Sequence, residues 1–208
     1  MARYNNIFDF TGSIGNLVFY RYRGKQCVRT KPVHKNKTVS PAQAINQKKF
    51  LKASEFVRSL APLINTTIKP FKRMSASNFL VSHVMKNAIF GYYPDFKIDY
   101  SLIPVSEGIL QRSLGAKVAC NNGNLIFTWN NDIPLNNGSE NDKVILVAYC
   151  EDLNQCIYST NTTIRRTGIA TLSAQPFKDR EVNTWIAFMS ENGKLTSKST
   201  YTGPLLVT

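Results

Sequence analysis

From about residue 105 onwards, the sequence alternates short strand-like runs with clusters of turn-forming residues. Clusters such as Asn121-Asn122-Gly123-Asn124 recur at intervals of roughly a dozen residues, with no helical stretch between them. Asn-Gly turns between β-branched and aromatic runs are typical of β-hairpins. The strand-like runs are 125–129, 144–150, 155–160, 168–172 and 182–189. The pattern predicts an all-β antiparallel sandwich of about 95 residues.

The first hundred residues have a different pattern, which opens with a β-hairpin. Residues 17–23 are rich in β-branched and aromatic side chains, and residues 26–30 return after a turn at Gly24-Lys25. Pro32 ends the second strand because proline has no N–H to donate to a ladder. The alternation is imperfect, so the sequence does not show which face of the hairpin is buried.

A helix start follows the hairpin. Ser40-Pro41-Ala42-Gln43 has the pattern of a capping box, with proline in the first helical position. One face of this helix carries apolar residues at helical spacing, namely Ile45, Phe56, Leu60 and Leu63. Pro62 predicts a kink or an end near Leu60.

A second helix is expected from Ser75 or Ser77 to Phe90, because apolar residues again follow a helical period and Gly91 supplies a stop. Residues 98–102 are then expected to pair as a strand. The predicted fold class is an α+β N-terminal segment, a β-hairpin plus two helices, followed by the antiparallel sandwich. The expected domains are 1–104 and 105–208, with the second folding alone.

The net positive charge of the chain lies entirely in its first half. Residues 1–100 hold 17 Lys or Arg against four Asp or Glu, whereas residues 101–208 hold nine of each. Between Arg21 and Arg73 there are 14 basic residues and a single acid, Glu55. This asymmetry predicts that the first half meets something acidic.

The basic half contains a candidate polyanion-binding surface, because Lys and Arg attract phosphates and carboxylates without sequence demand. Its candidate residues are Arg21, Arg23, Lys25, Arg29, Lys31, Lys35, Lys37, Lys48, Lys49 and Lys52. Tyr20 and Tyr22 alternate with arginines on the hairpin and are candidates for stacking on bases. A solvated basic surface, or one that docks on an acidic protein, explains the same charges.

No constellation of residues indicates catalysis, a cofactor or a metal site. The two histidines are His34, in the basic loop, and His83, which we interpret as a half-buried helix residue. A Cys27–His34 pair is the remaining catalytic alternative, since residues distant in sequence can meet in the fold.

The cysteines leave one question open. Cys150 and Cys156 flank a predicted hairpin, so a cross-strand disulfide is geometrically conceivable, although thiols stay reduced in the cytosol. This single loose pair does not supply the four ligands of a structural zinc site.

The sequence contains no run of 18 apolar residues and no signal-peptide core near its N-terminus. We therefore expect no membrane span, and a cytoplasmic or virion-associated location.

The second half resembles a fibronectin-type-III domain, a relative of the immunoglobulin sandwich. Phe127-Thr128-Trp129 is similar to its early tryptophan strand, residues 144–149 to its central strand, and residues 181–188 with 197–201 to its last two strands. Trp185 stands where that fold usually has its corner tyrosine. The resemblance implies nothing about function. Trp129 and Trp185 each lie in an apolar strand, which predicts that both are core residues of the sandwich rather than ligand-binding aromatics.

The whole chain also resembles an uncharacterised family common in Bacteroidota. The carrying residues are Gly15-Asn16-Leu17-Val18-Phe19-Tyr20, Gly24-Lys25-Gln26, Ser40-Pro41-Ala42-Gln43, Val147-Ala148-Tyr149-Cys150 and Trp185-Ile186-Ala187-Phe188. The resemblance implies a basic hairpin-and-helix segment followed by a sandwich, with no assigned activity.

These patterns favour a non-catalytic structural or interaction protein within a larger assembly, such as a phage virion or a mobile-element particle. Its expected partners are an acidic protein surface or a nucleic acid, together with other subunits of the assembly. The alternative is a sequence-independent nucleic-acid-binding protein, and an enzyme of unrecognised class comes third.

Overall fold

The chain was analysed as a computed structural model that describes residues 2–3, 11–33, 38–69, 74–131 and 136–208. Its contacts divide it into two compact units. Unit 1 is Met1–Ser40 and unit 2 is Pro41–Thr208. Each unit is described by itself.

Unit 1 contains a four-stranded antiparallel sheet. In spatial order it runs β1-β4-β3-β2. The strands are β1 (Ala2–Arg3), β2 (Gly12–Ile14), β3 (Leu17–Tyr22) and β4 (Lys25–Thr30). The predicted hairpin is therefore confirmed, but its turn is Arg23-Gly24, one residue earlier than expected. Both turn residues have positive φ, 52° and 73°, as the tightest hairpin turns require.

Unit 2 opens with the two predicted helices, α1 (Pro41–Thr67) and α2 (Ala76–Asn87). The sequence predicts that Pro62 ends or kinks the first helix near Leu60. An end at that point was wrong, because α1 continues through Pro62 to Thr67. Pro62 lies on the exposed face, where water can hydrate the carbonyl that the missing N–H leaves free. The residues after it, Leu63 and Ile64, are fully buried and favour continuation.

The second helix begins where the sequence indicated but ends earlier. The hydroxyl of Ser75 accepts a hydrogen bond from the backbone N–H of Asn78, with a distance of 3.2 Å. The helix stops at Asn87 because residues 89–92 form β5 (Ile89–Tyr92), which pairs with β6 (Asp95–Ile98). The strand expected over 98–102 was wrong beyond Ile98, since Tyr100–Leu102 is a turn of 3-10 helix.

The rest of unit 2 is the predicted β-sandwich. One sheet has the order β11-β8-β7 and the other β10-β9-β12-β13, all antiparallel. The strands are β7 (Lys117–Asn121), β8 (Asn124–Thr128), β9 (Lys143–Cys150), β10 (Gln155–Ser159), β11 (Ile169–Ser173), β12 (Glu181–Met189) and β13 (Thr200–Leu206). The predicted fold class is confirmed, although the last strand begins later than residue 197.

Unit 2 has two apolar cores, one on each face of the β9–β12 pair. Between the two sheets, Leu146 and Phe188 pack with Phe127. On the opposite face, Val147 and Trp185 pack with apolar residues of α1 and α2. Because successive side chains of a strand point to opposite faces, a strand buried on both faces reads as a continuous apolar run. This explains the uninterrupted Val-Ile-Leu-Val-Ala-Tyr-Cys sequence of β9.

The second core also explains why the compact units do not follow the expected boundary between residues 104 and 105. Phe56, Leu60 and Ile64 of α1 belong to the same buried cluster as Val147 and Trp185 of the sheet. A boundary at 104/105 would cut through this cluster. The contacts therefore divide the chain after Ser40, before the helices begin.

The two tryptophans are core residues, as predicted, but they lie in different cores. Trp129 is buried between the sheets, and its Nε1–H donates to the backbone oxygen of Arg165 with a distance of 2.8 Å. Trp185 faces the helices, and its Nε1–H has no hydrogen-bond partner among the described residues.

We predict that residues 105–208 are unstable without the helices, contrary to the expectation from sequence. Removing residues 1–104 would expose Ile145, Val147 and Trp185, which are fully buried in the complete chain. Large exposed apolar patches promote aggregation. Thermal denaturation followed by circular dichroism should show a cooperative transition for residues 41–208 and none for residues 105–208. A cooperative transition of the shorter fragment at a similar temperature would contradict the shared core.

We predict that Trp129→Phe destabilises the protein more than Trp185→Phe. Both changes shrink a buried ring, but only the first removes a hydrogen bond and leaves the Arg165 carbonyl short of a donor. The difference in the free energy of unfolding should be about 1 kcal/mol. Urea denaturation measures it, with the remaining tryptophan as the fluorescent probe in each variant. Equal losses would show that the hydrogen bond of Trp129 contributes nothing net.

Candidate polyanion-binding surface

The β3–β4 hairpin of unit 1 presents tyrosines and cations on one face. Residues opposite each other in an antiparallel ladder share a face, and the observed pairs include Tyr20 with Cys27 and Tyr22 with Lys25. Arg29 lies on this same face, with its guanidinium carbon 5.7 Å from the centre of the Tyr20 ring. The face therefore brings together Tyr20, Tyr22, Lys25 and Arg29.

The remaining cations of the hairpin lie elsewhere. Arg21 is opposite Gln26 and so belongs to the other face of the sheet. Arg23 is in the turn, with its guanidinium carbon 5.5 Å from the centre of the Tyr22 ring. Lys31 follows β4 and is exposed. The predicted basic residues of the hairpin are thus distributed over both faces of the sheet, its turn and the residue after β4.

This part of unit 1 contains no acidic residue to neutralise its cations. Residues 11–33 and 38–40 hold five Lys or Arg and no Asp or Glu. Tyr22 is 54% exposed and Lys25 and Arg29 are exposed as well. Lys25 and Arg29 are therefore accessible from solvent on this face, where their positive charge attracts an anion.

Three residues of interest lie outside the described part of the chain. They are His34, Lys35 and Lys37. The alternative Cys27–His34 pair includes His34, so it also lies outside the described residues. Cys27 itself is buried, and its thiol donates to the backbone oxygen of Lys25 with a distance of 3.7 Å.

The three lysines predicted on the helix belong to unit 2, and two of them have partners there. The ammonium of Lys52 is 3.1 Å from a carboxylate oxygen of Glu151. The ammonium of Lys49 is 5.0 Å from the centre of the Phe96 ring. Lys48 is exposed. Exposed ion pairs contribute less than about 1 kcal/mol, so Lys52 can still exchange Glu151 for another anion.

Sequence reasoning missed an aromatic surface on the β5–β6 hairpin. Phe90 and Tyr92 project from the face opposite buried Phe96 and Ile98, and Tyr92 is 91% exposed. Tyr93 follows in the turn and is also exposed. The signal in the sequence is the aromatic run Phe90-Gly91-Tyr92-Tyr93 beside Pro94.

A buried ion pair closes one end of the sandwich. The guanidinium of Arg165 lies 3.1 Å from a carboxylate oxygen of Asp142 and stacks on Phe188, with 3.7 Å to the ring centre. It also donates to the backbone oxygen of Gln111. Burial lowers the pKa of Arg165, and the adjacent Asp142 carboxylate opposes that shift. These contacts all lie within unit 2, so we interpret the pair as structural.

The cysteines do not pair. All four are free thiols. Cys156 is opposite Tyr149 in the ladder, so it lies on the helix-facing side of the sheet, whereas Cys150 lies between the sheets. The open question of a Cys150–Cys156 disulfide is thereby answered, because the two thiols are on opposite faces.

His83 lies in α2 as a half-buried residue, as expected, with Nε2 at 3.0 Å from the backbone oxygen of Leu102. Among the described residues, no three His, Cys, Asp or Glu side chains lie close enough to share a metal ion. Within the same residues, none of the helices combines the length and the apolar character needed to cross a membrane.

The model of a family described only as a family of unknown function (DUF6266) matches residues 9–203, which include parts of both units. No curated protein matches the chain.

We predict that Cys156 resists alkylation in the folded protein. Burial raises the pKa of its thiol to about 12. At pH 8 only about one such thiol in ten thousand is ionised, and the thiolate is the reactive form. Iodoacetamide labelling followed by mass spectrometry should modify Cys156 in urea but only slowly in buffer. Rapid labelling of folded protein would contradict the packing of half-buried Cys156 against the helix-side core.

Proposed function

We propose that this chain, which belongs to the DUF6266 family, is a non-catalytic interaction protein that binds an acidic partner through the β3–β4 hairpin of unit 1. One observation carries the proposal. Residues 11–33 and 38–40 of unit 1 hold five cations and no carboxylate, and four of those cations lie in the β3–β4 hairpin.

The chemistry of this hairpin suits a protein partner. Arginine and tyrosine are enriched at protein interfaces, where a planar guanidinium can donate two parallel hydrogen bonds to one carboxylate. Arg29 and Arg23 are each held near a tyrosine ring. A guanidinium that is already positioned loses less conformational entropy when it binds.

We further propose that the partner is an acidic face of a neighbouring subunit in a larger assembly, such as a phage virion or a mobile-element particle of Bacteroidota. Support comes from the sandwich of unit 2, whose strands β10 and β11 each have a strand neighbour on one side only within the described chain. Open strand edges can accept a strand from another chain. In this proposal the protein is found in the cytoplasm or in the assembled particle.

The alternative is sequence-independent binding of nucleic acid. The observation that favours it is the placement of Tyr20 and Tyr22 beside Lys25 and Arg29 on one face. Bases stack on aromatic rings while phosphates meet the cations. Both tyrosine rings already lie beside an arginine of the hairpin, Tyr20 beside Arg29 and Tyr22 beside Arg23. We therefore place this function second.

We predict salt-sensitive binding of polyanions by the hairpin. The variant with Arg21, Arg23, Lys25 and Arg29 changed to Gln should lose most of the binding and show a shallower salt dependence. On duplex DNA the slope of log K against log salt should be about −0.9 per phosphate contact. Fluorescence anisotropy with labelled duplex, single-stranded oligonucleotide and polyglutamate measures these quantities.

The matched control changes four exposed cations of the sandwich unit, Arg112, Lys117, Lys178 and Lys198, to Gln. It removes the same charge, so equal losses in both variants would show attraction to net charge alone. Binding of polyglutamate and DNA alike supports the acidic-partner proposal. Binding of DNA alone favours the alternative, and no binding of any probe at low salt contradicts both.

A further inference from the structure

Helices α1 and α2 border an apolar groove that neither core fills. It has a volume of about 640 Å³ and lies entirely within unit 2. On α1 the groove is lined at helical spacing by Phe50, Ser54, Val57 and Ala61. Val57 also belongs to the buried core beneath the groove, together with Phe56 and Leu60. Phe50 is exposed and Ser54 and Ala61 are half-buried, so these three side chains of α1 remain accessible from the groove.

The groove has the construction of a docking site for a helix. Small side chains such as Ser54 and Ala61 allow another backbone to come close, and Val81 and Met85 of α2 supply half-buried apolar surface. Phe50 stands at one end with 55% of its surface exposed. An amphipathic helix binds such a groove through residues spaced three and four apart.

The charge at the groove specifies what kind of helix fits. Arg58 of α1 and Lys86 of α2 both line it, and no Asp or Glu is among its lining residues. Across the two helices there are five Lys or Arg and one acid, Glu55. A partner with carboxylates beside its apolar stripe would therefore be attracted, and a basic one repelled.

We propose that the α1–α2 groove binds an acidic amphipathic helix of a partner protein. Phe50 and Ala61 are eleven residues apart, which corresponds to about 16 Å of helix axis, or about three turns of a bound helix. The apolar residues of the partner lie against Phe50, Val81 and Met85, and its carboxylates lie near Arg58 and Lys86.

A second copy of this chain does not fit the groove. Its own two helices carry a single acid between them, so neither can supply an acidic face. The net charge of +13 also opposes self-association. The groove therefore calls for a different protein.

The test is a selection from a displayed library of random peptides of about 16 residues against the full chain, followed by anisotropy measurements on the enriched peptides. We expect the enriched peptides to combine Asp or Glu with apolar residues spaced three and four apart. The R58E/K86E variant should weaken their binding by about tenfold or more, because it reverses both rim charges. A scrambled peptide of the same composition should not bind.

Two matched controls accompany this test. K117E/K178E makes the same change of charge at exposed positions of the sandwich and should alter binding by no more than about twofold. Phe50→Ala should weaken binding by about fivefold, whereas Phe90→Ala, at a phenylalanine that is 53% exposed but outside the groove, should not. Thermal melting of each variant confirms that it folds.

Three results would overturn the proposal: no enriched peptide, enriched peptides without acidic amphipathic character, or equal losses in R58E/K86E and K117E/K178E. The groove and the hairpin of unit 1 are tested separately. Gln substitution of the four hairpin cations should leave peptide binding unchanged. A failure of the groove proposal can therefore be distinguished from a failure of the hairpin proposal.

Discussion

Burial of both faces of the β9–β12 strand pair is the constraint on which the rest of unit 2 depends. An aromatic cluster on the helix side joins α1, the 3-10 turn and the sheet. Phe56 meets Tyr149 edge-on at a ring-centre distance of 4.9 Å, and Tyr100 meets Trp185 at 6.3 Å. Aromatic side chains bury about 150–250 Å² each, so such a cluster supplies much of the apolar contact between helix and sheet.

This constraint makes unit 2 one folding body in which helices and sandwich support each other. Burial raises the pKa of Tyr100 and of Tyr149 above the usual range, which keeps both phenols neutral inside the cluster. Unit 2 carries two candidate interaction surfaces, which are the α1–α2 groove and the exposed aromatic face of the β5–β6 hairpin. Unit 1, with its basic hairpin, is a separate compact unit. Segments of about 40 residues rarely bury enough surface to be stable alone, so a binding partner would stabilise it.

The parts of the fold that sequence predicted are those where local chemistry decides the outcome. The Asn122-Gly123 turn, the start of α1 at Pro41 and the Ser75 cap of α2 depend on residues a few positions apart, and all three were identifiable. The apolar run of β9 was identified as a strand for the same reason.

The parts that sequence did not predict depend on contacts between distant segments. Pro62 is typical of a helix stop, and only the packing of Leu63 and Ile64 in the helix-side core shows that the helix continues past it. The boundary at 104/105 was expected because charge and pattern change there, although the core crosses it. The continuous run of β9 indicates that something covers the second face of the sheet, but the run alone does not identify the covering segment as the two helices.

For the candidate site, the hairpin cations were identifiable from charge alone, but their faces depend on register. The β3–β4 pairing separates Arg21 from Tyr20 and Lys25, which composition cannot show. The α1–α2 groove was missed because it requires two helices side by side. Its trace in the sequence of α1 is the placement of Phe50 and Ala61 beside the core residues of that helix.

Native-state hydrogen exchange tests the shared core most directly. The account predicts that amides in the buried part of α1, residues 56–64, exchange with the same opening free energy as amides of β9 and β12, within about 1 kcal/mol, because they unfold together. The opposite result would be exchange of the α1 amides at an opening free energy several kcal/mol lower. That would mean that the helices open while the sheet stays folded, and it would contradict a single core.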